Sequence, residues 1–210
     1  MRYIYWIVNF IRVLIFKFFN KEVIAGQEFV VKNVKVKNTG SNNTVVIGSN
    51  CKLTNSEILF YGSNNHITIG DKTNLNGVVF WMGENGNRIS IGKDTTIEDN
   101  TELAACESSE IIIGSDCMFS HSILVRTTDS HSIINVDGER LNKAASIKIG
   151  NHVWVGLQSL ILKGADIPDN CVIGARSVVS KSNDFESQSV IAGMPARCVR
   201  KNINWLRDRI

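Results

Sequence analysis

Residues 149–179 read IGNHVWVGLQSLILKGADIPDNCVIGARSVV, and an aliphatic residue stands at every sixth position: Ile149, Val155, Ile161, Ile167, Ile173 and Val179. Four residues after such a position the side chain is usually small, as at Ser159, Cys171 and Ser177 here and at Thr73, Thr95 and Cys117 upstream. A helix repeats every 3.6 residues and a half-buried strand every two, so neither produces a beat of six. A strand-and-corner unit used three times per turn does. Eighteen residues then close a triangular coil, and successive coils stack their parallel strands about 4.8 Å apart. The aliphatics form columns up the interior, and the small residues fit beneath the corners.

Upstream the repeat is longer. Ile-Gly pairs fall at Ile47-Gly48, Ile69-Gly70, Ile91-Gly92 and Ile113-Gly114, 22 residues apart each time, and recur at Ile149-Gly150 and Ile173-Gly174. A 22-residue coil carries four residues beyond eighteen, and the surplus recurs at residues 62–65, 83–86 and 106–109, all on the third side. Gly and Asn dominate the first two of these, as a protruding corner with positive backbone angles requires. From Ile113 to Ile149 the spacing is 36. One more coil would place His131, Asp137 and Lys143 in the aliphatic columns, so the extra residues are an extruded loop, about 126–146, leaving the third side. That loop carries His131.

With 210 residues and 43% hydrophobic content the chain can bury one core, and a single domain is expected. Net charge is +3, but its distribution says more: residues 1–37 hold seven Lys or Arg against Glu22 and Glu28, while 98–116 holds acids and no base. Further bases lie at the other end, at Arg197, Arg200, Lys201, Arg207 and Arg209. Bases split between two ends, with no nucleic-acid motif, exclude a nucleic-acid partner. They suit a membrane surface or a phosphorylated cofactor.

Residues 3–20, YIYWIVNFIRVLIFKFFN, fall short of a membrane span because Arg12 and Lys17 interrupt the run. Charges at Arg12, Lys17, Lys21 and Glu22 argue against a cleaved signal. On a helical wheel Arg2, Asn9, Arg12, Lys17 and Asn20 share one side, leaving a wide aromatic face. Two readings stand open: a helix packed on the coils or across a subunit interface, and an anchor giving peripheral contact with a membrane. The expected organisation is therefore an amphipathic helix over 1–22, the coils over 23–194, and a basic, helical tail over 195–210. Cys51, Cys117 and Cys171 occupy the small inward slot, and no cysteine pair has metal or disulfide-framework spacing, which points to the reducing cytoplasm or the inner face of its membrane.

Of the four histidines, His66 lies on a bulge and His152 beside a corner, where local bonding is the ordinary role. His121 follows the inward Phe119 by two residues, where a structural role outweighs a place in the cleft. His131 follows Thr128-Asp129-Ser130 at the loop's start. On residue type alone it reads as a surface histidine.

Its surroundings change that reading. The beat of six with a single loop, together with TTDSHSI (127–133), GERLN (138–142), IKIGNHVWVG (147–156) and VIAGMPARCVR (190–200), resembles the hexapeptide-repeat acyltransferases. Within them it resembles the bacterial O-acetyltransferases of capsule, O-antigen and exopolysaccharide sugars. The resemblance covers roughly residues 40–201 and implies an all-β, left-handed parallel β-helix. Handedness comes from the resemblance alone, since parallel crossovers are otherwise almost always right-handed. It further implies a homotrimer with one site between each pair of subunits. Acetyl-CoA is the implied co-substrate, no metal is needed, and the acceptor is a hydroxyl on a polysaccharide sugar or its precursor.

By the same resemblance His131 is the general base, an imidazole being able to take and return a proton near neutrality. Trp154 lines the active site, and Gly156, Leu157, Ala175, Ser180, Lys181, Arg197 and Arg200 contact coenzyme A. Asp129 is the nearest carboxylate in sequence for the other imidazole nitrogen; equally, it is a turn residue bonding its own backbone. For the acceptor the sequence offers Asn100 and Glu102 on the preceding coil and Arg140 and Asn142 on the loop. Three other functions are distinguishable: transfer to an amine or hydroxyl of a small acceptor, such as a nucleotide-linked amino sugar or an antibiotic; a γ-carbonic-anhydrase-like zinc site, whose three histidines the spacing of His121, His131 and His152 does not match; and a non-catalytic structural β-helix.

Overall fold

The computed structural model describes residues 9, 11–13, 16, 22–181 and 185–210. Its strands form three sheets of seven, nine and seven members. Each strand up to Val178–Val179 pairs with the third one before it in sequence, while Val190–Gly193 pairs with Val172–Ile173 and Ala196–Arg200 closes on Val190–Gly193. Every such pairing is parallel except the last, so the architecture is a three-sided parallel β-helix.

The register follows the predicted columns. On the first face Ile47, Ile69, Ile91, Ile113, Ile149 and Ile167 stand opposite one another in turn. Ile173 of the last Ile-Gly pair belongs instead to the second face, opposite Val155 and Ile191. On the third face Ile58, Phe80, Leu103, Val125, Ile161 and Val179 form the column. These side chains are fully or almost fully buried, and removing such aliphatic area from water is worth roughly 1.5–3 kcal/mol per side chain.

The small slot has a chemical reason beyond size. Thr73 Oγ1 donates to the carbonyls of Gly70 (2.7 Å) and Gly92 (3.2 Å), and Ser159 Oγ to those of Gly156 (2.8 Å) and Gly174 (3.0 Å). The Cys117 thiol lies 3.2 Å from the Gly150 carbonyl. A short hydroxyl or thiol thus covers corner carbonyls of its own coil and the next, which the β-ladder leaves without a donor. The corner glycines are demanded by contact between coils: a Cβ on Gly114 would stand 2.5 Å from the Gly150 carbonyl oxygen.

The corners that carry the surplus of the 22-residue coils close on an internal ladder. Asn43, Asn65, Asn87 and Ser109 are buried one above another; Asn43 Oδ1 accepts from Asn65 N (2.9 Å), Asn65 Oδ1 from Asn87 N (2.9 Å), and Asn87 Oδ1 from Ser109 N (3.1 Å). The loop, residues 127–146, leaves the third face directly above this ladder, between strands Leu124–Arg126 and Ile147–Ile149.

Described positions of the N-terminal segment, 9, 11–13 and 16, are helical. Phe16 is buried with its ring 6.3 Å from that of Phe29, Val13 packs against the core, and Asn9 Nδ2 donates to the Phe29 carbonyl (3.1 Å). Arg2, Lys17 and Asn20, placed on the polar side of this helix, lie outside the described residues. Among the described residues no helix is long and apolar enough to cross a membrane.

The tail differs from expectation. Residues 195–210 form no helix: strand Ala196–Arg200 folds back antiparallel on Val190–Gly193, and the chain then runs extended down the second face. Arg207 donates to the carbonyls of Asp94 (3.1 Å) and Cys117 (2.9 Å) on successive coils, and to Thr96 Oγ1 (3.0 Å). Stacked coils offer acceptors about 4.8 Å apart, and the single guanidinium of Arg207 spans two of them.

Candidate functional site

The loop's root is braced from three sides. Thr127 is fully buried and its Oγ1 accepts from Cys106 N (3.1 Å) and Ser109 Oγ (2.6 Å), at the top of the asparagine ladder. Thr128 Oγ1 donates to Glu107 Oε1 (2.7 Å). Arg140, on the returning arm, pairs with both oxygens of the same Glu107 carboxylate at 2.8 Å. Two hydrogen bonds from Arg140, then one from Thr128, hold the Glu107 carboxyl down at about 2. The two arms also join through Asn142, whose Nδ2 donates to the His131 carbonyl and to Asp129 Oδ2, each at 2.8 Å, while its Oδ1 accepts from Ile133 N (2.7 Å).

His131 is therefore held by its backbone. Its N–H donates to the Asp129 carbonyl (2.8 Å), Ser130 before it has φ +67°, and its side chain is exposed. Among the described residues no group hydrogen-bonds its imidazole. Asp129 is not its orienting partner in this arrangement: the carboxylate is taken by Lys163 Nζ and Asn142 Nδ2, which hold its carboxyl below the ordinary range. Nor does the carboxylate bond its own backbone as a turn residue would: it joins the loop to Lys163 and Asn142. Lys163 also donates to the carbonyls of Asn142 (3.1 Å) and Lys143 (3.3 Å).

The residues assigned to the acceptor divide. Arg140 and Asn142 direct their polar groups into the loop's own bracing. Asn100 bonds Ser122 Oγ (3.0 Å) at the corner between second and third faces, and Glu102 pairs with Arg126 (2.9 Å) on the third face itself, immediately before the loop.

Those assigned to coenzyme A frame the last coils. Gly156, Gly174 and Ala192 follow the inward Val155, Ile173 and Ile191, giving a strip with no side chain larger than a methyl. A Cβ on Gly156 would stand 2.7 Å from Ala175 N, so that strip is closed to larger residues. Leu157 and Ala175 are exposed at this edge of the third face; Ser180 and Lys181 are exposed at its other edge, above Lys163 and the loop root. Between them the face shows Leu160, Leu162 and Val178. Arg197 and Arg200 are exposed on the closing strand, Arg197 turning one nitrogen to the Ala196 carbonyl (3.0 Å).

Trp154 stands on the second face, half-exposed, its ring 6.2 Å from that of Trp205. No contact among the described residues joins it to His131, which leaves the third face. The other histidines have structural partners: His66 meets Thr44 Oγ1 (2.7 Å) and His121 lies 3.4 Å from Asp99. His152 bonds Asp116 (2.6 Å) and the Trp205 carbonyl (3.0 Å) and stacks on the Trp205 ring at 4.2 Å.

Glu107, Lys163 and Trp205 were not singled out from sequence. Lys163 was findable, since position 163 lies 36 residues after Thr127 and the column arithmetic sets it over the loop root. Glu107 sits in the surplus corner just beneath. Trp205 belongs to a tail whose path no periodicity marks.

No protein-family model matches the sequence. A polysialic acid O-acetyltransferase of Neisseria meningitidis is 46% identical over 66 residues, 31% of each chain. A second, of Escherichia coli O1:K1 / APEC, is 32% identical over 102 residues, 48% of this chain and 33% of the relative. The chain thus matches about a third of the length of these curated relatives. Among solved structures, the polysialic acid O-acetyltransferase OatWY superimposes with a TM-score of 0.74 at 33% identity, over 89% of this chain and 93% of OatWY. With that similarity running through nearly the whole of both chains, and with the repeat and loop already described, the chain belongs to the hexapeptide-repeat acyltransferase family.

Proposed function

We propose that this protein transfers an acetyl group from acetyl-CoA to a hydroxyl of a bacterial surface-polysaccharide sugar or its precursor, with His131 as general base. The observation that carries this reading is the mounting of His131: the loop arms are tied through Asn142, Arg140 and Lys163, while the imidazole is left exposed. A base held by its backbone, with its ring free, is ready to meet an acceptor hydroxyl, and such a base contributes roughly 10²–10⁴-fold.

Acetyl-CoA, when bound, supplies an activated thioester carbonyl. The small-residue strip at Gly156, Gly174 and Ala192 suits a narrow chain lying close to the backbone, and Leu157 and Ala175 border it. Lys181, Arg197 and Arg200 supply exposed cations for phosphates. His131 accepts the hydroxyl proton at an imidazole nitrogen as the oxygen attacks, and returns it to the departing sulfur. This exchange needs no covalent enzyme intermediate and no metal.

His131 leaves the third face and Trp154 stands on the second face of the next coil, so we assign the complete site to the junction between two copies in a homotrimer. The loop supports this with Ile133, Ile134, Val136 and Leu141, all exposed. A closed ring satisfies both flanks of each subunit. We place the trimer in the cytoplasm, in keeping with five unpaired cysteines, and assign any membrane contact to the N-terminal helix.

The test is thiol release from acetyl-CoA with a polysialic acid polymer, a free sugar, an amino sugar and chloramphenicol as acceptors, read beside sedimentation. Transfer to hydroxyls of the glycan by a trimer is the expected result. Transfer to the amine or the antibiotic alone would replace the acceptor assignment, and a fully active monomer would end the shared-site arrangement.

A further inference from the structure

Two aromatic rings lie on the outside of the third face. Tyr61 and Trp81 are 39% and 37% exposed, with ring centroids 4.7 Å apart and tilted by 39°. Lys37 Nζ sits 5.0 Å from the Tyr61 centroid, and among the described residues it has no carboxylate partner. Gly83 makes the pairing feasible, because a Cβ there would stand 3.3 Å from Trp81 Nε1.

The register ties this cluster to the candidate site. Lys37, Leu59, Trp81, Ala104, Arg126 and Leu162 stand opposite one another in a single outward column. Arg126 is the last residue before the loop that carries His131, so Trp81 lies two strand spacings, about 10 Å, from the loop root. Beyond the loop the same face is bordered by the residues assigned to coenzyme A. The face is thus divided: small residues at one end, the base in the middle, and an aromatic pair with Lys37 over one ring at the other.

We propose that this N-terminal part of the third face is an acceptor track, holding an acidic oligosaccharide whose chain continues past the reacting sugar. The inference rests on the acetyltransferase reading and narrows its acceptor to a chain of several residues. The C–H face of a pyranose carries slight positive charge and lies well on the negative face of an aromatic ring. Lys37 stands where a sugar carboxylate beside that ring would be neutralised. A second copy of the chain is a weaker occupant, because the rings are surrounded by Lys37, the Lys35–Glu57 pair and the Glu102–Arg126 pair, where the fully buried centre of a subunit contact is depleted of charge.

The experiment compares kcat/KM for sialic acid oligomers of increasing length with that for the monosaccharide. Calorimetry of the same oligomers with protein free of acetyl-CoA gives a readout independent of turnover. The wild type should favour long over short acceptors, and Tyr61→Ala/Trp81→Ala should erase about tenfold of that preference, as expected for two ring contacts of 0.5–1.5 kcal/mol each. Trp81→Phe should restore part of it. Lys37→Ala should weaken binding of sialic acid oligomers, with no effect on malto-oligosaccharides. A length preference that survives the double substitution overturns the track and leaves the acetyltransferase reading standing. Calorimetric binding lost in the double variant, with no transfer to any glycan, would keep the track and overturn that reading. A trimer that falls apart on Trp81→Ala would make this face a subunit contact and overturn the track.

Discussion

Arg140 places its two terminal nitrogens 2.8 Å from the two carboxylate oxygens of Glu107, one coil earlier, and so closes the loop onto the corner it grew from. The same carboxylate accepts from Thr128 on the outgoing arm, so one acid sets the spacing of both arms. Glu107→Gln should leave the coils folded yet lower turnover by about tenfold, because His131 rides on the arm that is released. Limited proteolysis within 132–139 should speed up in step with that loss. The pH dependence has a definite sign. The folded carboxyl is lowered from 4.5 to about 2, so its stabilisation is fully present above about 4.5 and disappears as pH falls toward 2. Proteolysis by an acid-tolerant protease should rise more steeply through that window in the wild type than in Glu107→Gln, where the Asp129–Lys163 contact remains as the acid-sensitive brace.

The asparagine ladder offers a separate test, of the fold. Asn87 donates to Asn65 Oδ1 (3.0 Å) and to the Gly83 carbonyl, and accepts from Ser109 N (3.1 Å), all out of contact with water. Asn87→Ala removes three partners at once and orphans buried groups, which costs about 1–3 kcal/mol for each group left unsatisfied. Thermal or denaturant unfolding should show a loss of about 2 kcal/mol or more. Thr68→Ala, on the outward side of the first face, should change stability by less than about 0.5 kcal/mol.

The ladder also marks where reading the sequence stops. Interior columns at Ile91, Ile113 and Ile149 were legible because a beat of six has few structural sources, and the loop because His131, Asp137 and Lys143 cannot fill a core. The Gly and Asn of the surplus corners, Asn65 among them, read as turn residues tolerant of positive φ, and that tolerance is used beside the ladder at Asn42 and Asn64, at +56° and +59°. The inward amide pairing of Asn43, Asn65 and Asn87 appears only once coils are stacked. His131 was found through its flanking motif, whereas its supports, Glu107 and Lys163, act across 33 and 34 residues and have no local signature. The tail is not the expected helix because the contacts of Trp205 and Arg207 lie 53 to 113 residues away and set its conformation from outside.

Those tail contacts should be measurable. Trp205 is buried, donates from Nε1 to the His152 carbonyl (2.8 Å) and stacks on the His152 ring, while Arg207 pairs with Asp116 (3.1 Å). Burial opposes but does not overcome the hydrogen bonds from His152 and Arg207, and the Asp116 carboxyl stays below its ordinary value. Trp205→Ala should expose the second face around Trp154 and cost about 3 kcal/mol of stability. Hydrogen exchange should show faster opening at 152–155 and 116–119, with the coils before residue 90 unaffected. Equal exchange throughout would mean that the tail holds nothing in place.

His131→Ala tests the chemistry itself. Losing the base should depress turnover by about 10²-fold or more, equivalent to about 2.7 kcal/mol of barrier. Affinity for coenzyme A should stay level, because the strip at Gly156, Gly174 and Ala192 lies on other strands. Stability should also hold, since the imidazole is exposed and the loop is fixed through the His131 carbonyl, which alanine retains. Asp129→Asn separates positioning from catalysis: it weakens the Lys163 contact while leaving the imidazole in place, so it should reduce turnover less than His131→Ala. His121→Ala, removing only an exposed partner of Asp99, is the control and should lose much less activity. Near-normal turnover in His131→Ala together with an inactive His121→Ala would move the base to the corner between the second and third faces, and the bracing of the loop by Glu107, Arg140 and Lys163 would then need a purpose other than holding a base.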